Sequence, residues 1–299
     1  MSVVKSNAHQ VGQSATAANN FTLYQPSTPD GTVRLGVGNA GATTTDVITA
    51  SSTGVTIPSV SSSNTFGFKN ALINGNFNIN QRGVSGTVTL SAGSYGHDRW
   101  KAGASGCTYT FSTTNNVTTL TITAGSLQQV IEGLNVQSAT YILSWTGTAQ
   151  GRINSGSYGA SGAVTASLTG GTNQTVEFNT GTLTLAQCEI GSRATSFDFR
   201  SYGQELALCQ RYYEIVTGSF RAYTSDGCVA GPAPFKVTKR ASPTCTYIAS
   251  GNNNLSGAVG NFVSGFESGT DLQACFPQWC PGTGTFYSYG YKITASAEL

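Results

Sequence analysis

Short runs of alternating apolar and polar residues, broken every few positions by Gly, Asn, Asp or Pro, dominate this chain from end to end. A period of two is the signature of half-buried strands. It predicts strands over Thr87–Leu90, Thr108–Ser112, Thr118–Thr123, Tyr141–Thr146, Val164–Leu168, Thr175–Phe178 and Leu183–Glu189. Asn115-Asn116 falls between two of them and predicts a tight hairpin. Seven short strands spaced by turns describe a β-sandwich, most simply a jelly roll, over residues 66–200.

Before this region, residues 1–65 hold only brief alternations, such as Thr32–Val37 and Val55–Ile57, separated by Pro29-Asp30-Gly31, Gly38-Asn39 and Thr53-Gly54. Such segments bury little surface alone and read as an N-terminal extended segment for attachment or intertwining. The serine run 59–64 reads as a linker. One helix interrupts the β pattern. Over Ser201–Thr217, Leu206, Cys209, Tyr213 and Val216 recur at spacings of 3, 4 and 3, a seam that could meet sister chains or an ordinary face packed on the sandwich. Residues 218–299 return to strands at Phe220–Thr224, Pro234–Thr238, Thr244–Ala249, Val259–Phe266 and Thr285–Thr294, a smaller C-terminal β domain. The fold class is mainly β, with one connecting helix over 201–217.

Composition narrows the chemistry. Charged residues make up 9% of the 299, against about 25% in ordinary globular proteins. The net charge of +2 offers no footprint for nucleic acid or an anionic membrane. Hydrophobic residues at 38% and aromatics at 10% suffice to fill a core. No apolar stretch reaches the length of a membrane helix, and the N-terminus lacks the apolar run of a secretory signal. Folding in a cytosol is the expectation. Seven cysteines, at 107, 188, 209, 228, 245, 275 and 280, show no zinc spacing and read as small buried hydrophobes; Cys275 and Cys280 could also close a small disulfide loop.

Catalytic signals are thin. The densest polar cluster, His97-Asp98-Arg99-Trp100, reads as an Asp–Arg pair and a tryptophan closing one end of the sandwich. The carboxylates are scattered singly, so no glycosidase pair emerges. Gly36–Gly41 matches a phosphate-loop pattern but has no helix after it, and reads as turn chemistry. Tyr287, Tyr289 and Tyr291 share one face of a strand. A calcium site using Glu189 is conceivable, but no metal and no cofactor are assigned.

Three stretches carry a resemblance. Val11–Phe21 continues through Pro29-Asp30-Gly31-Thr32-Val33-Arg34-Leu35-Gly36-Val37-Gly38. Asn70-Ala71-Leu72-Ile73-Asn74-Gly75-Asn76-Phe77 precedes Gln81-Arg82-Gly83 and Asp98-Arg99-Trp100. Gln187–Phe197 leads into Gly203–Tyr213. In this order they resemble bacteriophage tail-fibre and receptor-binding proteins with a jelly-roll, carbohydrate-binding-like module. The resemblance implies a homotrimer in the virion tail, mounted on other tail or baseplate proteins by its N-terminal segment and exposed outside the host. It implies noncovalent recognition of a host-surface glycan or protein, without enzymatic activity. The receptor contacts expected are Asn252, Asn253, Asn254, Gln278 and Trp279, in polar and aromatic C-terminal loops. A purely structural tail component is the alternative, and an envelope-glycan depolymerase a more distant one.

Overall fold

A computed structural model describes residues 8–57, 68–230, 233–248, 274–275 and 278–299. The chain divides into two compact units, residues 1–65 and 66–299. The serine run 59–64, the expected strand 259–266 and Asn252, Asn253 and Asn254 lie outside the described residues.

In the first unit, β1 (Ala8–Val11), β2 (Phe21–Tyr24), β3 (Val33–Asn39), β4 (Ala42–Ser51) and β5 (Gly54–Thr56) pair in sequence order as one antiparallel sheet. The N-terminal segment is therefore not merely extended; strands that look too short alone gain neighbours on both sides. Of Gly36–Gly41, read as turn chemistry, residues 36–39 belong to β3 and only Ala40 and Gly41 make the turn into β4. Gly38 and Gly41 both have positive φ, and a Cβ on Gly38 would stand 2.7 Å from the Ala42 carbonyl oxygen. On one face, Asp46 accepts from the Tyr24 hydroxyl at 2.6 Å and from Arg34 at 3.1 Å, and Arg34 also pairs with Asp30.

The second unit contains a two-layered sandwich. β6 (Val88–Leu90), β7 (Lys101–Thr114), β8 (Val117–Ile131), β10 (Gly151–Ile153) and β12 (Gln174–Phe178) make one layer; β9 (Ala139–Thr146) and β11 (Val164–Leu168) belong to the other. β13 (Gly181–Ile190) serves both. Its start pairs with β8 and its end with β9, and the register breaks between Thr184 and Gln187, where Leu185 has φ 51°. A bulge of this kind lets one strand turn from sheet to sheet. Leu120, Ile122, Leu127, Val176, Phe178, Leu143, Trp145 and Trp100 meet in the core between. Thr110, Ser112, Thr121 and Thr123 stand on the exposed outer face.

The β7–β8 turn is the predicted hairpin. Asn115 (φ 51°) and Asn116 (φ 59°) are both left-handed, with Thr114 opposite Val117. Asparagine tolerates that conformation; a β-branched residue does not. Asn116→Val is expected to cost about 1–2 kcal/mol in a urea titration, and Asn116→Gly to be neutral or stabilising.

The helix is shorter than predicted. α1 (Tyr202–Gln210) carries a reciprocal Ser201–Gln204 capping box, and Tyr213 already opens β14 (Tyr213–Ala230). Leu206 and Cys209 are thus helical, whereas Tyr213 and Val216 are strand residues. The 3-4-3 spacing is not a helical seam, and Cys209, Tyr213 and Val216 are buried within this chain. The reason is tertiary: β14 finds a long partner in β18 (Gln278–Ser296), with Tyr213 opposite Ser296. β16 (Thr244–Ile248) flanks β18, and β15 (Ala233–Pro234) pairs with β17 (Ala274–Cys275). Tyr287, Tyr289 and Tyr291 lie in β18, opposite Arg221, Ser219 and Gly218. Cys107, Cys188 and Cys209 are reduced and buried, as small hydrophobes.

Candidate functional site

The motif residues that look chemical fold inward. Asn70 Oδ1 accepts from the backbone N–H groups of Leu72 and Cys188, both at 3.0 Å, while its amide donates to the Ala186 carbonyl. Asn74, wholly buried at φ 58°, donates to the carbonyls of Ile79 (2.8 Å) and Asp98 (3.0 Å) and accepts from the Ile79 N–H (2.9 Å). The Trp100 indole donates to the Asn74 carbonyl at 2.9 Å. Gln129 pairs with both backbone groups of Ile73, and Gln187 accepts from the Asp198 N–H. These amides satisfy loop backbone and, through Asn70, backbone groups of β13 beside its bulge.

His97 and Asp98 do not form a catalytic pair. Asp98 accepts from the Gln81 N–H at 2.6 Å, the Gln81 amide at 3.1 Å and Arg82 at 3.4 Å, whereas His97 Nδ1 meets the Tyr109 hydroxyl at 3.0 Å. Burial holds His97 down to about 4 and pushes Asp98 up to about 6. The Asp–Arg pair expected within His97–Trp100 does not form: Asp98 pairs with Arg82 from the preceding loop. Arg99 instead binds Glu298, donates to the Val130 carbonyl at 2.8 Å and stacks 3.5 Å over Tyr212. Trp100 closes the sandwich core, as expected. Glu189 accepts from the Thr195 N–H (2.8 Å), the Thr195 hydroxyl (2.7 Å) and the Gln187 amide (2.8 Å). Among the described residues no group of three or more His, Cys, Asp or Glu side chains is placed to hold a metal ion.

One cleft of about 370 Å³ opens outward. Its walls come from the β7–β8 hairpin (Thr113, Asn116, Thr118), the Asn76–Ile79 loop, and the stretch from Phe199 into α1. Phe199 is 53% exposed and Tyr202 63% exposed. At its base Arg200 pairs with both carboxylate oxygens of Glu205 at 3.3 Å, donates to the Leu72 carbonyl at 3.1 Å and also to the Asn70 carbonyl. The Arg200 Nε is nevertheless buried with no hydrogen-bond partner. The cleft therefore joins two exposed rings with amide and hydroxyl groups.

This site does not coincide with the residues expected from sequence. Gln278 and Trp279 begin β18, with Trp279 opposite Val229, so Trp279 is a strand residue by its backbone; the structure describes neither side chain. Phe199 and Tyr202 went unnoticed because they flank a motif. Tyr202, four residues before Leu206 and seven before Cys209, reads as one more member of the helical stripe, and Phe199 precedes the helix. Comparison with protein families, with curated proteins and with solved structures finds no match for this chain.

Proposed function

We propose that this protein is a noncovalent glycan binder of a bacteriophage tail fibre, acting as a homotrimer whose N-terminal unit mounts on other tail proteins. The cleft between Phe199, Tyr202 and the β7–β8 hairpin carries this reading. Sugar rings present an apolar face and a hydroxyl edge. Exposed aromatics stack on the first, while Asn amides and Thr hydroxyls serve the second. The order of the three tail-fibre-like stretches supports the virion setting, and neutral recognition groups suit binding that salt weakens little.

The test is adsorption. Purified protein should block phage attachment to host cells and retain host-envelope polysaccharide. Phe199→Ala and Tyr202→Ala should each weaken polysaccharide binding about threefold to tenfold, from ring contacts of roughly 0.5–1.5 kcal/mol. Thr121→Ala, on the outer sandwich face, should bind as wild type. Unchanged binding in the Phe199/Tyr202 double variant would remove the cleft from the mechanism. Unimpeded adsorption at saturating protein would remove the function.

A further inference from the structure

The first unit is a single sheet whose two faces differ sharply. Cross-strand register fixes which residues share a face. Val11 lies opposite Phe21, and Phe21 opposite Val37; Leu23 lies opposite Leu35, and Leu35 opposite Ile48; Val33 lies opposite Ala50, and Ala50 opposite Val55. These rows make a largely apolar face, bounded by Thr45 opposite Val37 and by His9 opposite Leu23. Val11 is 69% exposed, Leu23 50%, Val33 48% and Val55 64%. Six of the exposed large hydrophobics among the described residues, those four with Phe21 and Ile57, belong to this small unit. The charged groups described in it, Asp30, Arg34 and Asp46, are bound to one another, and Arg34 and Asp46 lie with Tyr24 on the other face or its margin.

A sheet with one apolar face requires a second layer. Five strands about 4.8 Å apart and about five residues long give a flat footprint of roughly 400 Å². Side chains standing half-exposed on it raise the accessible area toward the ~800 Å² per partner of a stable interface. Its occupant must itself be apolar and uncharged, or it would strand buried charge. The same face of another copy meets that requirement, and sheets pack face to face at about 10 Å with such side chains interleaved.

We infer that the apolar face of the N-terminal sheet is a self-association surface, covered by the same face of other copies of this chain. The inference stands apart from the glycan cleft, which lies in the other unit. Sedimentation of the full chain across the micromolar range tests it. Wild type should run at a multiple of 30.9 kDa. Leu23→Lys should dissociate it to monomer with unchanged far-UV circular dichroism. Should Leu23→Lys misfold, the isosteric pair Val33→Thr and Val55→Thr keeps strand propensity and should weaken association at least tenfold. Thr49→Gln, on the opposite face, should leave the mass unaltered. A wild-type monomer, or Val33/Val55 variants with undiminished association, would overturn the inference. A dimer lost in these variants would support the surface while overturning the trimer proposed above.

Discussion

Asn74→Ala should destabilise the second unit by at least about 3 kcal/mol and lower its melting temperature by about 6–12 °C. Alanine strands two buried backbone groups, the Ile79 N–H and the Asp98 carbonyl, and leaves the Ile79 carbonyl with only the Asp98 N–H at 3.3 Å. Each orphaned group costs about 1–3 kcal/mol. It also places a Cβ without compensating hydrogen bonds at φ 58°, a left-handed conformation worth about 1–2 kcal/mol against most residues. Asn74→Gly separates the two contributions, because glycine accepts the backbone but supplies no amide. It should recover about 1 kcal/mol of the loss. Tryptophan fluorescence is a suitable readout, since the Trp100 indole donates to the Asn74 carbonyl. An alanine variant melting within about 2 °C of wild type would show that the loop finds other partners.

That expectation also explains what the sequence could and could not convey. Alternation located the sandwich strands well, because each buries one face and a period of two survives intact: Val164–Leu168 is the same in both readings. It missed β10, whose three residues are too short to show a period, and β2, whose Thr22 is buried beneath its own sheet rather than exposed. It extended the helix through Tyr213 and Val216 because a 3-4-3 spacing is satisfied by chance when a helix runs directly into a strand. The residues around Asn70, Asn74 and His97–Trp100 stood out correctly as special, but for their backbone partners. Nothing local distinguishes an asparagine that caps buried carbonyls from one that binds a sugar; the partners lie up to 118 positions away, as with Asn70 and Cys188.

The scarcity of charge acquires a physical reading from these contacts. Asp98, Arg99, Glu189, Asp198, Arg200, Glu205, Glu214 and Lys239 are all buried. Lys239 and Glu214 form a pair at 2.7 Å with both side chains fully covered. Charges spent on interior pairing and backbone are unavailable for contact. The cleft is lined mostly by rings, amides and hydroxyls, and its two charged residues, Arg200 and Glu205, are paired with each other.

Acid should expose an opposition between two neighbours that the wild-type profile conceals. His97, held at about 4 by burial against an ordinary 6.5, stays neutral while the unfolded chain takes up a proton. Its contribution therefore falls as pH drops from 6.5 to 4, by about 3 kcal/mol at roughly 1.4 kcal/mol per unit. Asp98, raised to about 6 from 3.8, does the reverse. The folded chain binds that proton first, so its contribution grows as pH falls from 6 to 3.8, again by about 3 kcal/mol. Over pH 4–6 the two slopes nearly cancel. Asp98→Asn removes the gain and leaves the loss, so the variant should lose about 3 kcal/mol relative to wild type between pH 6.5 and 4. His97→Gln removes the loss and should gain a similar amount relative to wild type over pH 6 to 4. Urea unfolding at pH 4, 5, 6 and 7 measures both differences, and the shared carboxylates elsewhere subtract out. Profiles parallel to wild type in both variants would mean that neither group carries its proton as burial dictates. Divergence in opposite directions would establish that two adjacent residues, each costly to bury at one end of the range, are tolerated because they compensate.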